Sequence, residues 1–129
     1  RRVLFRSPFR EYNYFHQKGQ RVFKEVCPMA ADHITRSVAN AGLTINDVRR
    51  WWLHQANINM NQLIAKKLLG RMPDQDEAPV VLDQYANTAS AGSLIAFNLH
   101  HEDLDENDHG VICSFGAGYS IGSLVVQKR

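Results

Sequence analysis

Three short motifs contain side chains or backbone groups that could take part in chemistry. His54 opens the motif HQAN, Asn87 lies in the motif YANT, and Gly116 and Gly118 lie in the motif FGAGY. An imidazole and a carboxamide can each donate a hydrogen bond to an oxygen that gains negative charge during a reaction. Each motif also has a purely structural interpretation, namely a hydrogen-bonded histidine, a helix N-cap and a hairpin turn. One motif alone therefore does not identify a function.

The three motifs follow apolar runs that predict buried strands. The predicted strands are 51–53, 80–82, 110–115 and 119–127. Residues at the ends of strands in an open sheet face a crevice, so the first two motifs stand where a site could form. The glycine motif joins two strands and does not open a helix, which argues against a dinucleotide-binding loop.

Apolar residues at helical spacing predict helices over 20–40, 60–68 and 88–100. Pro28 is expected to kink the first helix or to mark its early turns, and Gly42 to end it. Gly70 is expected to end the second helix in a left-handed conformation. The third helix begins with small residues, which suggests close packing against another backbone. This alternation predicts an α/β fold with a mostly parallel sheet, whose last strand is antiparallel because its connection is very short.

The composition indicates one soluble domain in a reducing compartment. A chain of 129 residues with 44% hydrophobic residues can form a core, and no run of about 18 apolar residues suggests a membrane span or a secretion signal. We therefore expect a cytoplasmic protein without a membrane partner. Cys27 and Cys113 lie far apart in apolar contexts, which favours reduced core thiols over a disulfide.

The charge distribution does not indicate a nucleic-acid site or a metal site. The net charge is only +2, although the first ten residues are locally basic. The charged stretch 100–109 lacks the spacing of a calcium loop or a zinc site, so we interpret it as a solvated loop. We interpret residues 1–19 as a basic N-terminal segment, either a linker or an edge element, and residues 20–129 as the folded domain.

Taken together, the motifs are similar in order and spacing to the C-terminal half of the beta-ketoacyl-acyl-carrier-protein synthase III enzymes, also called 3-oxoacyl-acyl-carrier-protein synthase III. The segments that carry the resemblance are WWLHQANINMNQLIAKKL, YANTASAGSLIAF and ICSFGAGYSIGSLVVQKR. A weaker stretch, QRVFKEV, fits the helix that opens that half. The resemblance implies one half of a thiolase fold, with a mixed five-stranded sheet and helices packed on both faces.

The resemblance implies that His54 and Asn87 are catalytic residues. Enzymes of this family take part in fatty acid biosynthesis: they condense an acyl group held on a cysteine with malonyl held on acyl carrier protein, and carbon dioxide leaves. Both side chains would donate hydrogen bonds to the malonyl thioester oxygen as it becomes an enolate, for which His54 should be neutral. The backbone N–H of Ala117, between Gly116 and Gly118, would serve a second oxyanion hole, for the acyl thioester.

The resemblance also implies contacts with the carrier of the substrate. Asn57 matches a position near the pantetheine arm of coenzyme A or acyl carrier protein, whereas Asn59 replaces an arginine found in many relatives. Lys66, Lys67 and Arg71 could supply positive charge for an acidic carrier protein. Alternatively, these three residues form only the solvated side of an amphipathic helix. No cofactor other than the carrier is expected.

Neither cysteine suits the role of the nucleophile, because a reactive thiolate needs a helix N-terminus or a nearby histidine. The resemblance implies that the nucleophile lies in an N-terminal half, and the chain begins at Arg1 without an initiator methionine. We therefore expect the chain alone to be inactive in condensation, to expose an apolar face, and to need that half as a partner in a homodimeric enzyme. Two alternatives are a relative that transfers acyl groups without malonyl, and a non-catalytic half that stabilises a partner subunit.

Overall fold

The computed structural model of the chain describes residues 24–85, 89–116 and 120–129. Its elements are α1 (24–40), a 3-10 turn (Ile45–Asp47), β1 (Val48–Trp52), α2 (Ile58–Leu69), α3 (Leu82–Tyr85), α4 (Ala89–Leu99), β2 (His109–Gly116) and β3 (Ser120–Gln127). The predicted segment 1–19 and the predicted site residues Asn87, Ala117 and Gly118 lie outside the described residues.

The described strands form a mixed sheet in the order β1-β2-β3. β1 and β2 are parallel, with Trp51 opposite Val111, and β2 and β3 are antiparallel from His109 opposite Gln127 to Gly116 opposite Ser120. This confirms the predicted antiparallel closing strand and the mixed sheet. In the described part of the chain the sheet has three strands, whereas the resemblance implied five.

The predicted strand at 80–82 is wrong. The segment 77–81 does run beside β1, because the N–H of Trp51 donates to the carbonyl of Glu77 at 2.7 Å. Further along, Pro79 has no N–H to donate, and the N–H of Val81 donates to the side chain of Gln55 at 3.1 Å. A side chain thus replaces the backbone ladder, and at residue 82 the chain begins the short helix α3.

Helices cover both faces of the sheet, as predicted, because successive side chains of a strand point to opposite faces. One face packs against α1 and α2 and buries these residues: Cys27, Ala30, Ile34, Val38, Trp51, Leu53, Met60, Ile64, Ala65, Leu68, Val111 and Cys113. The other face packs against α4 and buries Trp52, Val81, Ala96, Leu104 and Ile112. The neighbouring residues Trp51 and Trp52 therefore belong to two different cores.

The helix ends agree with the predicted stop signals. Gly42 and Gly70 follow α1 and α2 with φ angles of 77° and 73°, the left-handed region in which glycine has no steric cost. The described part of α1 continues through Pro28 without a break, so this proline does not interrupt the helix. Among the described helices, none is long and apolar enough to cross a membrane.

A buried arginine ties two loops to β1. The side chain of Arg50 is 1% exposed, and its guanidinium donates to both carboxylate oxygens of Asp103, at 2.5 and 3.0 Å, and to Asp76 at 2.6 Å. The hydrogen bonds from Arg50 hold the pKa of Asp103 down, at about 2. The charged stretch 100–109 is therefore anchored to β1 through Asp103. Among the described residues, no group of three His, Cys, Asp or Glu side chains could hold a metal ion.

Gly110 makes room for a tryptophan at the start of β2. Trp52 is fully buried and its indole N–H donates to the carbonyl of His100 at 3.0 Å. Its ring meets the ring of Phe97 edge-on, with the centroids 4.9 Å apart. A Cβ atom on Gly110 would overlap the six-membered ring of Trp52 and lie 3.2 Å from the carbonyl oxygen of Arg50. Glycine is thus required here by close packing of the core.

Candidate active site

His54 lies two residues beyond the end of β1 in a buried position. Its side chain is 7% exposed, and its ring stacks on the ring of Phe115 with the centroids 4.0 Å apart and the planes 23° from parallel. The backbone N–H of Phe115, near the end of β2, donates to Nδ1 of His54 at 3.4 Å. The parallel pairing of β1 and β2 therefore brings the HQAN motif and the FGAGY motif together.

The hydrogen bond to Nδ1 assigns the proton of the neutral ring. A nitrogen that accepts a hydrogen bond carries no proton, so Nε2 of His54 bears the hydrogen and can donate it. Burial lowers the pKa of His54, because the cation loses its hydration. The expected neutral imidazole is thus favoured, with its N–H donor at Nε2.

The lowered pKa of His54 predicts a pH dependence of stability. In the unfolded chain His54 takes up a proton near the ordinary histidine pKa of about 6.5, whereas in the folded chain its pKa is lower. The free energy of unfolding should therefore fall as the pH decreases from about 6.5 towards the folded pKa. Urea unfolding at several pH values measures this slope, which His54→Gln should reduce. A His54 NMR titration midpoint above 6.5 in the folded protein would contradict the assignment.

The glycine loop begins beside the histidine. Gly116 follows Phe115 directly, is the last residue of β2 and pairs with Ser120 of β3. The structure therefore places the start of the loop next to the residue whose N–H binds His54. The predicted backbone donor Ala117 and its neighbour Gly118 lie beyond the described part of the loop.

Asn57 has a structural contact that limits its predicted role. Its side-chain oxygen accepts hydrogen bonds from the N–H groups of Asn59, at 2.8 Å, and Met60, at 3.4 Å, and thereby caps α2. The oxygen of this exposed side chain is committed to the helix, which leaves the amide NH2 as the group that could reach a pantetheine carbonyl. The side chain of Asn59 is also exposed, in the first turn of α2.

The three predicted docking cations differ in their environments. Lys66 and Lys67 are exposed in the last turn of α2. Arg71 instead forms a two-point ion pair with Glu77, at 2.7 and 2.6 Å. Its charge is thus already balanced within the chain, and the two lysines are the better candidates for binding an acidic partner.

Both cysteines are buried free thiols, as predicted. Burial raises the pKa of Cys27 to about 11 and that of Cys113 to about 12, so neither forms a thiolate near neutral pH. The nearby charge of Lys67 lowers the pKa of Cys27 less than burial raises it. Neither thiol is suited to nucleophilic attack.

Sequence reasoning missed the roles of two residues next to His54. Phe115 was part of a recognised motif, but its spacing gave no sign that its N–H would meet an imidazole 61 residues away. Because alternate residues of a strand face the same side, Phe115 could have been placed on the same buried face as Val111 and Cys113. Gln55 was interpreted only as part of HQAN, although a glutamine two residues after the apolar run 51–53 could be buried and would then need partners for its amide.

Comparison with known proteins identifies the family. The profile of the family described as 3-oxoacyl-acyl-carrier-protein (ACP) synthase III C terminal matches residues 38–128. The chain is 55% identical over 115 residues to a beta-ketodecanoyl-acyl-carrier-protein synthase from Pseudomonas aeruginosa, and 33% identical over 117 residues to a beta-ketoacyl-acyl-carrier-protein synthase III from Symbiobacterium thermophilum. The chain therefore belongs to the 3-oxoacyl-acyl-carrier-protein synthase III family, as a C-terminal domain.

The structural comparison shows the corresponding fold. The structure superposes on a beta-ketoacyl-acyl-carrier-protein synthase III from Thermus thermophilus with a TM-score of 0.75 and 28% identity, covering 86% of this chain and 34% of that one. The match to the two curated relatives covers 89% of this chain and 33% and 34% of their lengths. The fold is thus the thiolase-like half that the motifs indicated, and the chain spans about a third of the length of these relatives.

Proposed function

We propose that the chain is the decarboxylating part of a 3-oxoacyl-acyl-carrier-protein synthase III-like enzyme, which extends an acyl thioester by two carbons from malonyl-acyl carrier protein. The observation that carries the proposal is the buried neutral imidazole of His54, whose Nδ1 accepts from Phe115 and whose Nε2 is left to donate. Family membership supports the reaction class. The chain alone has no suitable nucleophile and is inactive in condensation.

The proposed reaction uses two donors where negative charge develops. His54, through Nε2–H, and Asn87, through its amide, bind the malonyl thioester oxygen while the bond to the carboxylate breaks and carbon dioxide leaves. The resulting enolate attacks the acyl thioester on a cysteine supplied outside this chain. The N–H of Ala117, in the loop Gly116 to Gly118, stabilises the oxyanion formed there before the cysteine thiolate departs.

The proposed partner is the cysteine-bearing N-terminal part of the same enzyme. An apolar cleft of about 600 Å³ lies between α4 and the hairpin of β2 and β3, and Leu94 and Leu124 on its walls are 58% and 63% exposed. Large apolar side chains at such exposure are unfavourable in water and favourable in an interface. The part of the relatives' length that this chain does not span would supply the surface that covers them, and the complete enzyme would be a homodimer.

The proposed substrate carrier is the pantetheine arm of coenzyme A or of acyl carrier protein. The free amide of Asn57, with Asn59 beside it, lies at the start of α2, and Lys66 and Lys67 lie at its end, where they would attract an acidic carrier protein. No other cofactor is proposed. Since the Pseudomonas relative is named for a ten-carbon product, and malonyl supplies two of those carbons, an acyl primer of about eight carbons is favoured.

The test is an assay of the complete enzyme, in which this chain is joined to its cysteine-bearing part. Release of labelled carbon dioxide from malonyl-acyl carrier protein should fall by about 100- to 1000-fold in Asn87→Ala, because one donor to the enolate is lost. Asn98→Ala is the matched control, since Asn98 is exposed on α4, and it should change the rate less than twofold.

Two other outcomes of this assay would favour one of the alternative functions over the proposed one. Acyl transfer without carbon dioxide release would indicate the relative that does not use malonyl. A stable complex with the N-terminal part whose turnover is unchanged by Asn87→Ala would indicate a non-catalytic half.

A further inference from the structure

Gln55 follows His54 in the chain and is 0% exposed. Its side-chain NH2 donates to the carbonyl of Leu53 at 2.9 Å and to the carbonyl of Pro79 at 3.4 Å. Its side-chain oxygen accepts from the N–H of Val81 at 3.1 Å. The carboxamide is thus held through both of its polar atoms, on one side by its own segment and on the other by a segment 24 to 26 residues away.

These contacts connect the two segments that carry the proposed catalytic donors. The segment 79–81 leads through α3 directly to residues 86–88, which include Asn87. Pro79 cannot donate a backbone hydrogen bond, so the backbones of the two segments cannot form a regular ladder here. Gln55 supplies the missing donor and acceptor and holds the segment before Asn87 against the segment that carries His54.

A second contact holds the segment on the other side of 86–88. Ser93 in α4 and Ser114 in β2 place their hydroxyl oxygens 2.5 Å apart, and both oxygens lie within hydrogen-bond distance of the Ser90 carbonyl, at 2.9 and 3.2 Å. Ser114 immediately precedes Phe115, whose N–H binds His54. Both flanks of the Asn87 segment are therefore attached to the strand ends beside His54, and the flank before it is attached through Gln55.

We infer that Gln55 is a positioning residue: it holds segment 79–81, the described flank that leads to Asn87, against the segment that carries His54, and the proposed action of both donors on one thioester oxygen depends on this. The inference rests on the proposed function. Oxyanion stabilisation depends on geometry, and a displacement of about 1 Å can cost about 100-fold in rate. Gln55 touches no reacting atom in this scheme and acts only through the two segments it joins.

The competing explanation is that Gln55 only satisfies buried backbone groups, which would stabilise the fold without affecting one reaction step more than another. The two explanations differ in the step they affect. Positioning predicts a selective loss in decarboxylation, whereas a purely structural role predicts a lower unfolding midpoint with equal effects on decarboxylation and on acylation of the cysteine.

The experiment compares two variants of the complete enzyme. Gln55→Met keeps the length of the side chain and removes its hydrogen bonds. Gln55→Glu keeps the acceptor for Val81 and removes the NH2 donor. The matched control is Gln75→Met, because the side chain of Gln75 also donates to this segment, at the Val80 carbonyl at 3.2 Å, but is exposed. The readouts are carbon dioxide release from malonyl-acyl carrier protein, acylation of the cysteine, KM and the unfolding midpoint.

We expect Gln55→Met to lower the kcat of decarboxylation by about 10- to 100-fold, with acylation and KM changed less than about threefold. Adding Gln55→Met to His54→Ala should cause little further loss, because the two residues act on one interaction. Gln75→Met should behave like the unsubstituted enzyme.

Three results would overturn the inference: equal losses in both steps, additive losses in the double variant, or failure of both Gln55 variants to fold. The last would make Gln55 a requirement of folding. If His54→Ala itself left decarboxylation intact, the proposed function would be wrong. Failure of the proposed function can therefore be distinguished from failure of the inference about Gln55.

Discussion

Replacing His54 with alanine in the complete enzyme should lower the rate of malonyl decarboxylation by about 100- to 1000-fold, the usual cost of removing one donor from an oxyanion site. Under the proposed function, the Nε2–H group is lost and the amide of Asn87 must stabilise the enolate alone. Acylation of the cysteine, for which we proposed a different oxyanion hole, should be affected much less. The measurement is single-turnover release of labelled carbon dioxide alongside mass-spectrometric detection of the acyl-enzyme.

Two variants serve as controls for His54→Ala. His101→Ala removes a histidine that also stacks on a phenylalanine, Phe97, with the ring centroids 4.8 Å apart, and it should leave decarboxylation within about twofold of the unsubstituted rate. His54→Gln retains an N–H donor and should retain part of the rate. Decarboxylation that survives His54→Ala undiminished would refute the assignment of His54 as a donor.

Replacing Gly110 with alanine should lower the free energy of unfolding by about 3 kcal/mol, at the upper end of the usual cost of overpacking a core. The added methyl group overlaps the ring of Trp52, and that ring is held by Phe97 and by the His100 carbonyl, so it cannot move without losing these contacts. Urea unfolding of the 129-residue chain, followed by tryptophan fluorescence, measures the loss.

Gly122→Ala is the matched control for Gly110→Ala. Gly122 also lies in the hairpin, but nothing within the described chain comes within 4 Å of the position its Cβ would take, so its replacement should cost less than about 1 kcal/mol. Combining Gly110→Ala with Trp52→Leu should make the two costs strongly non-additive, because the smaller side chain leaves space for the methyl group. Additive costs would show that the close approach of Gly110 to Trp52 is not what limits stability.

Local patterns predicted much of the fold correctly. The hairpin of β2 and β3 could be predicted because a very short connection between two strands permits only antiparallel pairing. The ends of α1 and α2 could be predicted because Gly42 and Gly70 adopt a left-handed conformation that other residues avoid. These features depend on a few neighbouring residues, and so they can be read from the chain itself.

The strand predicted at 80–82 was wrong because a distant segment decides the structure there. Residues 80–82 are as apolar as a strand, but Pro79 lacks a donor and Gln55 takes the place of a strand neighbour. The partner, not the local pattern, thus determines the structure of this segment. The docking role of Arg71 stays a prediction, and its guanidinium is paired with Glu77.

The sequence by itself determined the order of the motifs, the family they belong to, and the absence of a suitable nucleophilic cysteine among its 129 residues. Only the tertiary structure decided the chemical state of His54. Its pKa falls because the packed sheet excludes water from the ring, and its proton is assigned to Nε2 because the N–H of Phe115 occupies Nδ1. Phe115 lies 61 residues from His54 in the chain and reaches it because β1 and β2 pair in parallel.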